Sequence, residues 1–174
     1  IEASEHSVTA FVTTKTVGIN PGVAMNAQYE SDAARIFDLW HERARTKDVQ
    51  GLLDLYTADA VFESPLVMAI LDDAASGVLR GYTELRRFFE EGTKRRPNEL
   101  VKWYRTGRYL TDGRTLMWEY PRETPDGEQI DILEVIEMRD GLIQAHRIYW
   151  GWKGCTQIAP ALARRNSSDA SNSQ

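Results

Sequence analysis

The chain has 174 residues, 42% hydrophobic and 27% charged, which suits one soluble globular domain with a real core. Its formal net charge of −5 argues against a nucleic-acid surface, because acidic residues surround the basic clusters Arg86-Arg87 and Lys94-Arg95-Arg96. The single cysteine, Cys155, excludes an internal disulfide and speaks against a thiolate metal site; no apolar run is long enough for a bilayer and no charged-then-apolar leader is visible, so a cytoplasmic location is expected.

Residues 1–28 carry no clear helical period. Ser7 to Val17 is β-prone and Asn20-Pro21-Gly22 reads as a turn, so this stretch is expected to be an N-terminal arm or leader. Ser31 or Asp32 caps a helix running to about Thr46, with Ala34, Phe37, Leu39, Trp40 and Ala44 as its apolar stripe and His41 at the surface. Lys47-Asp48 restarts a short second helix with Val49, Leu52, Leu53 and Tyr56 inward. Ala58 to Pro65 reads as a turn and a short strand ended by proline, followed by a mixed loop over 66–80. A third helix is capped by Thr83, runs to about Thr93 and buries Leu85, Phe88 and Phe89.

After Pro97 the pattern turns to β. Strands over Leu100–Leu110, Thr115–Pro121, Ile130–Arg139 and Leu142–Trp150 are separated by Asp112-Gly113, Pro125-Asp126-Gly127 and Asp140-Gly141, a four-stranded antiparallel meander. Three N-terminal helices followed by such a sheet give an α+β fold, with the helices packed on a strongly curved antiparallel sheet that forms a cone with an internal pocket. The domain is placed at 29–160. The stretch 161–174 is a polar tail expected to lack order, and Cys155 is expected to be a buried or half-buried small apolar residue.

The last hairpin carries the chemistry-bearing residues. Ile130, Ile132, Glu134, Ile136 and Met138 share one face by period-two alternation; Leu142, Gln144, His146, Ile148 and Trp150 share a face on the second strand. A three-residue loop, Arg139-Asp140-Gly141 with a bulge at Gly141, puts Glu134 opposite His146. A two-residue turn opposes Val135 and His146 instead and separates the two faces. On the opposite face Leu133, Val135, Ile143, Ala145 and Tyr149 are more apolar than a solvated face should be. A homodimer through that face, or cover by the N-terminal arm, is therefore expected.

The order of elements, with Leu55-Tyr-Thr-Ala-Asp-Ala-Val-Phe-Glu-Ser-Pro65, Gly81-Tyr-Thr-Glu-Leu-Arg-Arg-Phe-Phe89, Arg139-Asp-Gly-Leu-Ile143 and Tyr149-Trp150, resembles the nuclear transport factor 2-like superfamily and, within it, the SnoaL-type polyketide-cyclase group, over about residues 31–152. The superfamily hosts isomerases, cyclases, epoxide hydrolases, dehydratases and non-enzymes, so the resemblance implies fold more than activity. The general-base aspartate of ketosteroid isomerases falls at Ser64, the oxyanion tyrosine at Trp40, a supporting tyrosine at Phe89 and the protonated aspartic acid at Glu134. The last-strand aspartate of limonene-type epoxide hydrolases falls at Ile148. Both mechanisms are thereby disfavoured. The same comparison turns Glu134, His146, Ile148 and Trp150 toward the pocket, and so favours the register that brings the acid and the imidazole together.

A histidine beside a carboxylate on an apolar surface is either an acid–base pair or a buried structural ion pair. The first reading makes the protein a cofactor-independent acid–base enzyme on a small hydrophobic carbonyl compound, cyclase-, isomerase- or lyase-like, with His146 and Glu134 catalytic. Trp40, Tyr56, Ser64, Phe88, Phe89, Trp118, Ile132, Ile148 and Trp150 then line the substrate site, although plain core is the simpler role for each aromatic. The second reading is a non-catalytic module that binds a small apolar ligand or dimerises, and the third is a purely structural role. His41, Glu134 and His146 lack a metal-ligand spacing, so no metal is expected, and neither nucleic acid nor membrane is an expected partner.

Overall fold

The computed structural model describes residues 21–95, 108–123, 129–152, 154–156, 158–160 and 162–163. The β-prone stretch at Ser7–Val17, the first part of the strand expected from Leu100, the Pro125-Asp126-Gly127 turn and the polar tail from Arg164 lie outside the described residues.

Helix α1 spans Pro21–Thr46 and so starts well before Ser31. Proline suits the first turn of a helix, where its missing N–H has no acceptor to lose, so Asn20-Pro21-Gly22 opens a helix instead of making a turn before one. Residues 21–28 are accordingly helical rather than part of an extended arm. Asp32 sits inside the helix and pairs with Arg35 at 3.6 Å, while Arg35 also donates to the carbonyl oxygen of Gly141. The buried stripe is Ala33, Ile36, Phe37, Trp40, His41 and Ala44, with Ala34 and Leu39 half-buried at its edges.

Helix α2 is Val49–Leu53, capped by Asp48, whose carboxylate accepts from the Gly51 N–H at 2.8 Å. Tyr56 is not its last inward residue but the first of strand β1, Tyr56–Glu63. The run from Tyr56 to Phe62 is β-prone and gains a partner strand that no local pattern announces. Helix α3, Leu66–Ile70, and strand β2, Val78–Arg80, occupy the stretch expected to be a mixed loop. Helix α4, Gly81–Arg95, begins ahead of Thr83; Glu84 reaches back and accepts from the Arg80 N–H at 2.7 Å. Its buried residues are Leu85, Phe88 and Phe89, as the sequence pattern predicts.

Strands β3, Tyr109–Thr111, β4, Thr115–Glu123, β5, Gln129–Arg139, and β6, Leu142–Trp150, form the meander. Among the described residues the sheet has six strands, in the order β2-β1-β6-β5-β4-β3, because the early strands β1 and β2 join it; β1 lies parallel to β6 and every other pair is antiparallel. The result is α+β, with helices packed on one face of a curled, open sheet. No helix among the described residues is long and apolar enough to cross a membrane.

The β5–β6 hairpin resolves its register in a way neither sequence option contained. Its turn is two residues long, pairing Arg139 with Leu142, and Asp140 and Gly141 both have positive φ, 52° and 74°. That is the turn expected to separate the two faces. A β-bulge then places Gln144 out of register: Met138 pairs with Ile143, Glu137 with Ala145, and Ile136 with His146. One extra residue inverts the alternation of everything after it. Ile143 therefore points into the core, fully buried, and does not belong to the outer face as the uninterrupted alternation predicts. The outer face keeps Leu133 and Tyr149, a directly paired couple that are 37% and 53% exposed. Beyond β6, residues 154–156 are helical, and Gly154 and Ile158 form the buried side, which turns Cys155 outward to an exposed position.

Candidate functional site

The inner face of the sheet is organised in rows across the strands. One row runs Leu79, Phe62, His146, Ile136, Leu116; the next runs Ile148, Glu134, Trp118, Tyr109. His146 and Glu134 are thus diagonal neighbours rather than directly opposed, a separation that long side chains bridge. His146 Nε2 lies 2.9 Å from Glu134 Oε2, and both side chains are fully buried.

Tyr56 joins this pair. Its Oη is 2.7 Å from His146 Nδ1, and Trp40 Nε1 of α1 donates to the same oxygen at 3.2 Å. An indole N–H can only donate, so the phenol oxygen accepts from Trp40. Burial pushes the Tyr56 hydroxyl well above the usual tyrosine pKa; the hydrogen bond from Trp40 works against that and the charge of Glu134 adds to it. The phenol therefore keeps its proton and donates it to His146 Nδ1. The imidazole hydrogen then sits on Nε2 and is donated to Glu134. The four residues form one directed chain, Trp40 to Tyr56 to His146 to Glu134, drawn from α1, β1, β6 and β5. Moving the Tyr56 and His146 protons one step toward Glu134, with the Trp40 N–H staying in place, turns the phenol into a phenolate and the carboxylate into a carboxylic acid, with the imidazole unchanged in charge.

The enclosure is apolar and aromatic. Phe62 meets the His146 ring at 5.2 Å, Trp40 at 5.7 Å, and the Tyr56 ring stacks at 6.0 Å. Phe88 and Phe89 of α4 pack on Phe62 at 5.0 and 6.0 Å. Ile132 is buried, while Ile148 and Trp150 are half-buried toward the open end of β6. Ser64 is buried at the end of β1, where its Oγ accepts from Trp150 Nε1 at 3.3 Å and from the Leu66 N–H at 3.2 Å. Ser64 thus ties the end of β1 to β6.

Three features were not visible in the sequence. His41 is buried rather than at the surface, because Phe37 one turn earlier and Trp118 across the interface flank it; its ring lies 4.5 and 5.0 Å from theirs, and its Nδ1 is 2.7 Å from the Phe37 carbonyl oxygen. Trp118, the cross-strand partner of Glu134, is 3% exposed and its indole N–H has no acceptor among the described residues, a state that costs about 1–3 kcal/mol. The link between Tyr56 and His146, 90 residues apart, has no local signal at all. Among the described residues no group of three His, Cys, Asp or Glu side chains gathers as metal ligands.

The residues expected at the site fall on the inner face or on the helices above it, except Ser64, which lies between β1 and α3. A SnoaL-like domain model matches residues 33–146, more than half of the chain. No curated protein sequence matches it. Among solved structures, a SnoaL-like protein of unknown function from Burkholderia thailandensis is similar at 16% identity, covering 70% of this chain and 95% of that one, with a TM-score of 0.52. A nuclear transport factor 2-like protein from Anabaena variabilis is 18% identical over 83% of this chain and 98% of that one, with a TM-score of 0.50. At such identities the likeness is one of fold. The family match, the helices laid on the curled sheet and the meander with its closing hairpin agree, and the chain belongs to the SnoaL-like domain family of the nuclear transport factor 2-like superfamily.

Proposed function

We propose that the protein is a cofactor-independent acid–base enzyme acting on a small hydrophobic carbonyl compound, in the manner of a cyclase or isomerase, with His146 and Glu134 as the proton-transferring pair. The observation that supports this is the fully buried Glu134–His146 contact at 2.9 Å, extended by Tyr56, inside an apolar enclosure. A buried carboxylate hydrogen-bonded to an imidazole contributes little to stability compared with well-packed apolar side chains of the same size, because the cost of taking both polar groups out of water offsets their attraction. Its presence is better accounted for by use than by packing. Proton abstraction next to a carbonyl needs a base and an acid at short range and no other reagent. The half-buried Ile148 and Trp150, with Ser64 beside them, are the approach to the pair, and the aromatic rings above suit a flat apolar substrate.

The test is hydrogen–deuterium exchange at the α-carbon of small cyclic ketones such as 1-indanone and 2-cyclohexenone, followed by NMR in D2O. Wild-type protein is expected to accelerate exchange, and His146→Gln, which keeps a polar group in place, to lose at least about 100-fold. Equal exchange by both proteins would remove the reading.

A non-catalytic ligand-binding role is the second reading, favoured by the commitment of both ring nitrogens of His146 to protein partners. It predicts ketone binding without exchange. Under either reading we propose a second copy of this chain on the outer sheet face around Leu133 and Tyr149.

A further inference from the structure

We infer that the indole N–H of Trp118 is the hydrogen-bond donor that receives the ligand's oxygen. This deepens the reading above and rests on it. Three observations converge. The first is the orphaned donor itself, since Trp118 is 3% exposed and its Nε1 has no acceptor among the described residues. Buried N–H groups are nearly always paired, and one left open in a folded site marks a place for an acceptor that arrives from outside. The second is position: Trp118 on β4 is the direct cross-strand partner of Glu134 on β5, which puts it one strand from the acid–base pair. The third is rigidity. The ring is fixed between the sheet and α1, with Phe37 at 5.4 Å, Trp40 at 5.7 Å and His41 at 5.0 Å. A donor held this firmly needs no rearrangement when charge appears on its acceptor.

The indole N–H donates only, so the complementary ligand atom is an acceptor: a carbonyl oxygen in the bound compound, an enolate oxygen once a proton has left. When the α C–H bond breaks, its proton passes to the buried pair and its electron pair moves through the carbon framework onto the carbonyl oxygen. That oxygen is the atom Trp118 meets. The other indole donors of the site are already used, Trp40 on Tyr56 and Trp150 on Ser64, which leaves Trp118 as the one buried indole N–H without an acceptor among the described residues.

The experiment uses the full chain, 15N-labelled at tryptophan, with the Trp118 indole resonance assigned by its loss in Trp118→Phe. Titration with 1-indanone is expected to move that resonance downfield, and titration with indane, the same ring without oxygen, to leave it in place. Trp118→Phe keeps an aromatic ring without the N–H and is expected to weaken 1-indanone binding at least fivefold more than it weakens indane binding. A resonance unmoved by bound 1-indanone, equal 1-indanone affinity in the two proteins, or no 1-indanone binding up to its solubility limit would each overturn the inference. The catalytic reading fails separately. Binding that depends on Trp118 without α-exchange retains the donor and removes the enzyme, whereas His146-dependent exchange indifferent to Trp118→Phe does the reverse.

Discussion

His146 has both ring nitrogens committed, and the consequences are clearest for its two neighbours. Replacing Glu134 by Leu leaves the Nε2 hydrogen buried without an acceptor, a loss expected to cost about 1–3 kcal/mol. Replacing both Glu134 and His146 by Leu removes the uncompensated polar groups of the pair, so the double variant is expected to be more stable than Glu134→Leu alone. Urea unfolding of the three proteins decides it; a double variant weaker than the single would mean that packing, not pairing, sets the energy. Tyr56 gives a pH signature. Its folded pKa lies above the unfolded value near 10, so the folded state keeps a proton that the unfolded state releases. The associated stability is therefore present below about pH 10 and is lost above it, at up to about 1.4 kcal/mol per pH unit. Tyr56→Phe is expected to be weaker at neutral pH, by about 1–3 kcal/mol for the partners it orphans, but to decline less steeply between about pH 10 and 11. Parallel declines in urea midpoint would show that the phenol does not hold its proton.

At the scale of elements, the bulge at Gln144 decides where the histidine points. The Asp140-Gly141 turn alone would set His146 against Val135 on the outer face; the bulge moves it against Ile136 on the inner one. Deleting Gln144 removes the extra residue and leaves Met138 opposite Ile143, Glu137 opposite Ala145 and Ile136 opposite His146, so His146 is expected to stay inward in a regular hairpin. The measurable result is a folded protein whose melting temperature lies within about 4 °C of the wild type, a change of about 1 kcal/mol. A deletion variant that fails to fold would show that β6 needs the bulge to fit beside β1. The turn residues and the alternation were legible in the sequence. The bulge was not, because Gln144 is an ordinary strand residue and its displacement follows from fitting β6 between β5 and the irregularly registered β1.

At the scale of the whole molecule, helices cover one sheet face and the other remains to be accounted for. Leu133, 37% exposed, and Tyr149, 53% exposed, pair across β5 and β6, and Leu110, 70% exposed, lies over Met117 at the far edge of that face. If a second copy covers it, sedimentation velocity will give a dimer at micromolar concentration. The double change Leu133→Lys with Tyr149→Lys will then return a monomer without altering the melting of the protomer by more than about 1 kcal/mol, as befits surface positions. A wild-type monomer removes the proposal.

Sequence by itself determined the class of the fold and the inward faces on which the candidate site residues lie. Helical and two-residue periodicities, with Asp-Gly turns between strands, report backbone conformation directly, because they record which side of each element meets the core. They named the inward faces of α4 and β5 and put Glu134 and His146 on the buried side of the last hairpin. What only the tertiary structure decided is how these parts meet. The parallel pairing of β1 with β6, the bulge that restores the inward direction of His146, the burial of His41 and the open indole of Trp118 all depend on contacts between residues far apart in the chain. No local pattern encodes such contacts, since they are settled by how helices and sheet share one volume. The bond from Tyr56 to His146 belongs to that second group, and it is what joins the phenol to the acid and imidazole in a single proton-bearing chain.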